Sequence, residues 1–254
     1  MNYKNIFFYL GISLIFFSIF PILNIIYSIY FNFFLSLNDY ILTLFISLTL
    51  GLLFLFMGYK NRSDISIYEQ ITFIIIGYFF LPVLISIPYM YSIYDINFLN
   101  AYFESVSGFT TTGFSIFLNI DNIDEPLVLW RSTSQWYGGL FFLIITIGTI
   151  GSKQSKIKPA YLISGGASGT NFYNNYFYNF IKIFLIYLAA TLFIIFLYTL
   201  VDLRLLDSFN LAFTVISAGG FIPNNYISDI LQTEIQIFVL ALSLLFPIFN
   251  FFLL

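Results

Sequence analysis

Six apolar runs, at residues 5–31, 38–59, 69–91, 126–150, 176–200 and 232–254, constrain this chain more than any other feature. Each is close to the length of helix, about 20 residues, that crosses a bilayer's hydrocarbon core of about 30 Å. Inside lipid every backbone polar group must find a partner, which leaves helices or closed barrels. Runs this long and continuous read as helices rather than strands. The first is too long for a signal peptide and has no small-residue cleavage site. Of the 254 residues, 60% are hydrophobic and 8% charged, where a soluble domain carries about a quarter charged residues. The chain therefore reads as an all-α, polytopic membrane protein.

The few charges are partitioned. Lys4, Lys60, Arg62, Lys153, Lys156 and Lys158 fall on one side of a six-span weave. Asp39, Asp95, Glu104, Asp121, Asp124, Glu125, Asp202, Asp207 and Asp229 fall on the other. The positive-inside rule puts the N terminus and the 60–68 and 151–172 loops in the cytoplasm. Lys182, two turns into the fifth span, either snorkels to the interface or lines a cytoplasmic vestibule. With no cysteine and no histidine, thiolate chemistry and the commonest metal ligand are absent. A membrane-embedded transferase would need acidic, basic or histidine side chains clustered at one face. The carboxylates here are scattered, so that alternative is disfavoured.

Two of the connections are too long to be simple loops: 92–125 and 201–231. YSIYDINFLNAYFESVSGFTTTGF (91–114) aligns without a gap to YTLVDLRLLDSFNLAFTVISAGGF (198–221), at a constant offset of 107. Identities fall at Tyr91/Tyr198, Asp95/Asp202, Leu99/Leu206, Gly113/Gly220 and Phe114/Phe221. Each copy carries an apolar stretch, 98–109 or 205–216, too short to cross the bilayer but long enough to enter it and turn back. TTTGF or SAGGF follows. Non-helical backbone at membrane depth is tolerated where protein buries it or where it lines a watery cavity. Glycine opens backbone angles closed to other residues, and inward carbonyls can replace a cation's water shell. Two re-entrant pore loops of a cation filter are thus predicted, the competing reading being polar turns that cap interfacial helices. Asp95 and Asp202 suit N-caps of the two short helices, and Pro82 and Pro88 are expected to kink the third span. Glu104 either attracts cations or pairs with Arg131; Leu211 at its counterpart position excludes a four-fold acidic ring.

Three stretches carry a family likeness. FESVSGFTTTGF (103–114), LWRSTSQWYGGLFFLI (129–144) and FNLAFTVISAGGF (209–221) resemble the first pore loop, the following helix and the second pore loop of the Trk/Ktr/HKT superfamily. The likeness is greatest to the TrkH-type membrane subunits of bacterial Trk potassium uptake systems and runs over essentially the whole chain. It implies four helix–pore loop–helix repeats around one pore, preceded by two helices. On that plan residues 1–62 are the extra pair, 63–158 the first repeat, 159–172 a cytoplasmic connector and 173–254 the second repeat. The other two repeats have no counterpart, so a truncated product, a partial sequence or half of a split subunit is expected, possessing half a filter.

The resemblance implies that the backbone carbonyls of Thr110, Thr111, Thr112, Gly113, Ser217, Ala218, Gly219 and Gly220 bind K⁺, the transported ion, with no cofactor and no enzymatic step. It also implies residence in the bacterial inner membrane, a homodimer of membrane subunits, and a cytosolic nucleotide-binding regulator of the TrkA type. No nucleic-acid partner is implied. GGASGTNF (165–172) is glycine-rich, but no lysine follows in the P-loop pattern and no strand precedes it. It reads as a connector, in this family a contact for the regulator.

Overall fold

The computed structural model describes residues 3–59, 67–150 and 172–248, and all its regular elements are helical. The chain runs α1 (Tyr3–Phe17), α2 (Ile19–Tyr30), α3 (Leu37–Gly58), α4 (Ile67–Tyr91), α5 (Phe98–Phe109), α6 (Glu125–Ile150), α7 (Phe172–Leu200), α8 (Leu205–Ile216) and α9 (Glu234–Ser243). Four stretches of helix among the described residues are long and apolar enough to cross a membrane: Tyr3–Tyr30, Leu37–Gly58, Tyr68–Tyr91 and Phe180–Leu200. The protein is a multi-pass membrane protein. Lys60, Arg62, Lys153, Lys156, Lys158 and the connector up to Asn171 lie outside the described residues.

The first apolar run is one span made of two helices. Pro21 has no N–H and crowds the carbonyl of Phe17, and the helix is interrupted between them at Ser18. The Ser18 hydroxyl donates to Ile15 O at 2.6 Å. Apolar side chains such as Phe45, Phe56, Phe79 and Phe196 are exposed along the spans, the outward-facing apolar surface that a lipid solvent requires. α1 and α3 pack closely through glycine: a Cβ on Gly11 would stand 2.7 Å from Leu55 N, and one on Gly58 2.7 Å from Lys4 O. Small residues that let backbones approach are how membrane helices associate without a hydrophobic driving force.

The fourth predicted span is α6, and its polarity faces inward. Arg131, Ser132, Thr133, Ser134 and Gln135 are all buried. α6 packs against α5 on one side and α8 on the other, with α2, α4 and α7 around it. The sixth predicted span corresponds to the shorter apolar stretch Glu234–Ile248. Pro82 and Pro88 both lie inside α4, which is continuous.

The offset of 107 recurs in the backbone. α5 and α8 are both 12 residues long and start and end 107 residues apart. Two 3₁₀ turns, Ile120–Asn122 and Ile227–Asp229, repeat the interval. Each long connection also starts and finishes at one place. The Tyr94 hydroxyl donates to Asn122 O at 3.2 Å and accepts from Asp124 N at 2.7 Å. Burial and the adjacent Asp124 carboxylate push that hydroxyl up to about 12, so it remains a donor at neutral pH. In the second copy, Gln236 Nε2 donates to Val201 O at 2.9 Å, tying the start of α9 to the end of α7.

The expected N-caps are corrected. Asn97 caps α5, its Oδ1 accepting from Asn100 N at 2.9 Å, while Arg204 precedes α8 with no side-chain cap. Asp95 and Asp202 lie in the left-handed region, at φ +49° and +59°. Their N–H groups donate to Ser92 O and Thr199 O, both at 3.3 Å. Aspartate tolerates that conformation, so the pair turns the chain out of α4 and α7 before the short helices begin.

Candidate functional site

Each short helix ends in the same hydrogen-bonded stop. At the end of α5 Thr112 N donates to Ser107 O and Thr111 N to Gly108 O, both at 2.9 Å. At the end of α8 Gly219 N donates to Thr214 O at 2.8 Å and Ala218 N to Val215 O at 3.0 Å. This paired 6→1 and 5→2 pattern is the Schellman motif, whose hinge residue adopts left-handed φ and is usually glycine. Here the hinges are Thr111 (φ +55°) and Ala218 (φ +54°). A β-branched residue there is a true outlier, and such strain costs about 1–3 kcal/mol and persists where the surroundings enforce it.

The stop consumes donors and leaves acceptors. The N–H groups of Thr111, Thr112, Ala218 and Gly219 turn back to their helices. Among the described residues, no carbonyl of Thr110–Gly113 or of Ser217–Gly220 accepts a hydrogen bond. The hydroxyls of Thr110 and Ser217 also turn back, to Val106 O at 2.7 Å and Phe213 O at 2.8 Å. The Thr110 hydroxyl lies 2.8 Å from that of Thr112.

The two loops meet at their glycines. Gly113 has φ +83°, and a Cβ there would stand 2.8 Å from Gly220 Cα. Gly220 has no positive φ, and its own Cβ would meet Gly113 Cα at a relaxed 3.4 Å. The sequence pairs these glycines as equals, but only Gly113 has an angle that favours glycine. All eight sequence-predicted residues thus fall on two backbone stretches that touch at Gly113 and Gly220.

α6 holds both loops. Cβ atoms at Gly138 and Gly139 would stand 1.9 Å from Phe109 O and 3.0 Å from Ser217 Cα, so this glycine pair seats the ends of both short helices. One face further along, Arg131 Nε donates to Glu104 Oε1 at 2.9 Å, with both side chains almost wholly buried. Glu104 also accepts from Ser115 Oγ at 3.0 Å and Ile116 N at 2.9 Å, on the first loop's return strand. Arg131 reaches the second loop too, donating to Ile222 O at 3.4 Å and lying 4.3 Å from the Phe221 ring centre. One turn on, Gln135 Oε1 accepts from Phe221 N at 3.2 Å and from the Thr214 hydroxyl at 2.5 Å. The Glu104–Arg131 pairing was open in the sequence and is formed.

Further out, Asn225 clasps the two returns: its Oδ1 accepts from Ile120 N at 2.6 Å, and its Nδ2 donates to Asp121 Oδ2 at 2.6 Å. Sequence reasoning missed Gln135 and Asn225. The buried RSTSQ run was a signal for the first; an ordinary polar loop residue gave none for the second. Lys182 is exposed.

No protein-family profile matches the chain. An uncharacterized cation transporter of Methanocaldococcus jannaschii is 26% identical over 222 residues, covering 82% of this chain and 43% of that protein. The Trk system potassium uptake protein TrkH of Vibrio parahaemolyticus is 22% identical over 186 residues, covering 72% of this chain and 38% of TrkH. TrkH of Escherichia coli K12 is 23% identical over 109 residues, or 42% of this chain and 23% of that one. The crystal structure of the potassium transporter TrkH from Vibrio parahaemolyticus superposes with a TM-score of 0.81 at 18% identity, over 96% of this chain and 49% of that chain. The chain thus spans about half the length, or less, of the relatives it matches. In fold the chain is thus similar to TrkH over nearly its whole length, and in sequence it is similar to Trk potassium uptake proteins and to a cation transporter.

Proposed function

We propose that this chain is part of the ion-conducting membrane subunit of a Trk-type potassium uptake system, with the carbonyls of Thr110, Thr111, Thr112, Gly113, Ser217, Ala218, Gly219 and Gly220 forming two quarters of its filter. The observation that carries the reading is the matched pair of helix stops that turn backbone N–H groups back to their own helices and leave eight carbonyls without partners. A dehydrating cation needs such a row of uncharged oxygens. The C-terminal ends of α5 and α8 add to it, because a helix C-terminus carries a partial negative charge equivalent to about half an electron.

On this reading α5 and α8 are re-entrant pore helices. α6 and the stretch around α9 complete six spans, and residues 63–158 and 173–254 are two repeats joined by the connector at 159–172. The N terminus is cytoplasmic in the bacterial inner membrane, and the loops bearing Asp95, Asp121 and Asp202 face outward. Cations shed water at the carbonyls and move inward with the membrane potential, worth about 2.3 kcal/mol per charge per 100 mV. Two further quarters complete the pore, and a second membrane subunit and a TrkA-type cytosolic regulator complete the system. The relatives' transport of cations favours this over enzymatic chemistry.

The test is growth of potassium-uptake-deficient bacteria on low K⁺. The full-length protein is expected to restore growth and Gly113→Asp to abolish it at unchanged membrane abundance. Growth that survives Gly113→Asp would overturn the filter assignment.

A further inference from the structure

A cavity of about 660 Å³ opens between α2, the first turns of α6 and α8, and neither Gly113 nor Gly220 lines it. Its wall is largely apolar, from Leu23, Ile26, Leu129, Phe209 and Phe213, and its charged groups, Glu125 and Arg204, lie at one end. Glu125, Leu129 and Thr133 line it on successive turns of α6, and Leu205, Phe209 and Phe213 on successive turns of α8. At 1.5 Å per residue, two turns of each helix make the groove about 12 Å deep. The charged end is at the helix starts, where the chain leaves the apolar region, and the depth runs toward the middle of the spans.

At the mouth, Glu125 has both oxygens engaged: Arg204 donates to Oε1, and the Tyr27 hydroxyl donates to Oε2 at 2.7 Å. Arg204 contacts Glu125 through one terminal nitrogen and keeps its side chain 60% exposed, so most of its five N–H donors remain free. Asp207 stands in the first turn of α8, close enough to Arg204 for the two charges to interact. The mouth therefore offers one free guanidinium edge beside a carboxylate. That pattern matches a phosphate next to an ammonium. A purely anionic headgroup would meet Asp207 unfavourably, and a headless lipid would leave Arg204 unused.

We propose that this cavity binds one zwitterionic glycerophospholipid of the surrounding bilayer, with an acyl chain in the apolar groove and the headgroup phosphate on Arg204. Water gains nothing in a groove of this composition, and lipid is the solvent present at this depth. An Arg–phosphate contact can be bidentate and charge-assisted, which distinguishes a site from the ordinary annulus. The lipid bridges α2 to α8, and so links the first span to the helix that carries the second loop. This inference rests on the membrane assignment and is independent of the filter reading.

The test uses the full-length protein, purified and delipidated in detergent. Phosphatidylethanolamine, phosphatidylglycerol and diacylglycerol with identical acyl chains are added separately, and the apparent Tm is measured. Phosphatidylethanolamine is expected to raise it by about 5 °C or more, and the other two by less. Arg204→Gln should reduce the phosphatidylethanolamine shift to the diacylglycerol value. A second variant, Leu205→Trp, places a reporter at the groove wall, where side chains are exposed. Its fluorescence should be quenched by phosphatidylethanolamine with brominated acyl chains at lower mole fraction than by the brominated phosphatidylglycerol. Equal shifts from all three lipids, or quenching blind to headgroup, would overturn the site. So would efficient disulfide dimerisation of Leu205→Cys in this cysteine-free chain, because a second copy would then occupy the groove. None of these outcomes depends on ion conduction.

Discussion

Thr111 and Ala218 hold the hinge of each helix stop in a conformation that glycine adopts freely and threonine resists. Thr111→Gly is expected to raise stability by about 1 kcal/mol, since left-handed backbone costs a non-glycine residue roughly 1–2 kcal/mol; denaturation in detergent would measure it. If the strain serves the carbonyl arrangement, the same variant should reduce discrimination between K⁺ and Na⁺ in proteoliposome flux. Gly113 and Gly220 should behave differently despite matching in sequence. Gly113→Ala adds both a strained φ and a 2.8 Å approach to Gly220, and it should abolish flux. Gly220→Ala meets Gly113 at 3.4 Å and should retain part of it. Breaking a buried ion pair by removing one partner costs about 3–5 kcal/mol. Arg131→Met alone should therefore destabilise the protein by that order, and Glu104→Met with Arg131→Met by much less. A double-mutant cycle on thermal unfolding would check it.

At the scale of elements, α6 is the part on which both loops are registered. Replacing Gly138 by alanine would bring a Cβ within 1.9 Å of Phe109 O. Moving the α5 end aside should abolish transport while the remaining helices stay folded, readable as lost flux with retained helical circular dichroism. How legible these elements were in the sequence follows from the kind of signal each carried. α3, α4 and most of α7 are long apolar runs with no competing interpretation, and they were placed to within a few residues. The two short helices were found because the 107-residue offset doubled a weak motif. α6 is long enough to span, yet RSTSQ weakens its apolar signal, because those side chains satisfy loops rather than face lipid. The break at Ser18 was missed although Pro21 announces it. Asp95 and Asp202 were misassigned for a physical reason: aspartate suits an N-cap and a left-handed turn alike, and only the backbone angle tells them apart. Hydrogen bonds between distant segments, such as Asn225 to Asp121, leave no trace in spacing.

For the whole molecule, the contact at Gly113 and Gly220, the Asn225 clasp and the shared Arg131 mean that neither loop can shift without the other. Asn225→Ala should loosen that linkage, and hydrogen exchange is expected to quicken in both returns, 115–123 and 221–229, rather than in one. The same buried arginine bears on how the chain enters the membrane in the first place. A translocon weighs segments as they emerge, and an arginine counts against insertion, by about 2.5–3.5 kcal/mol at a helix centre and by less in the second turn of α6, where Arg131 lies. Glu104 precedes Arg131 in the chain, so its carboxylate is already made when α6 arrives. A neutralising partner synthesised first lets a polar helix be threaded in as half of a pair, and the order of residues along the gene becomes part of biogenesis.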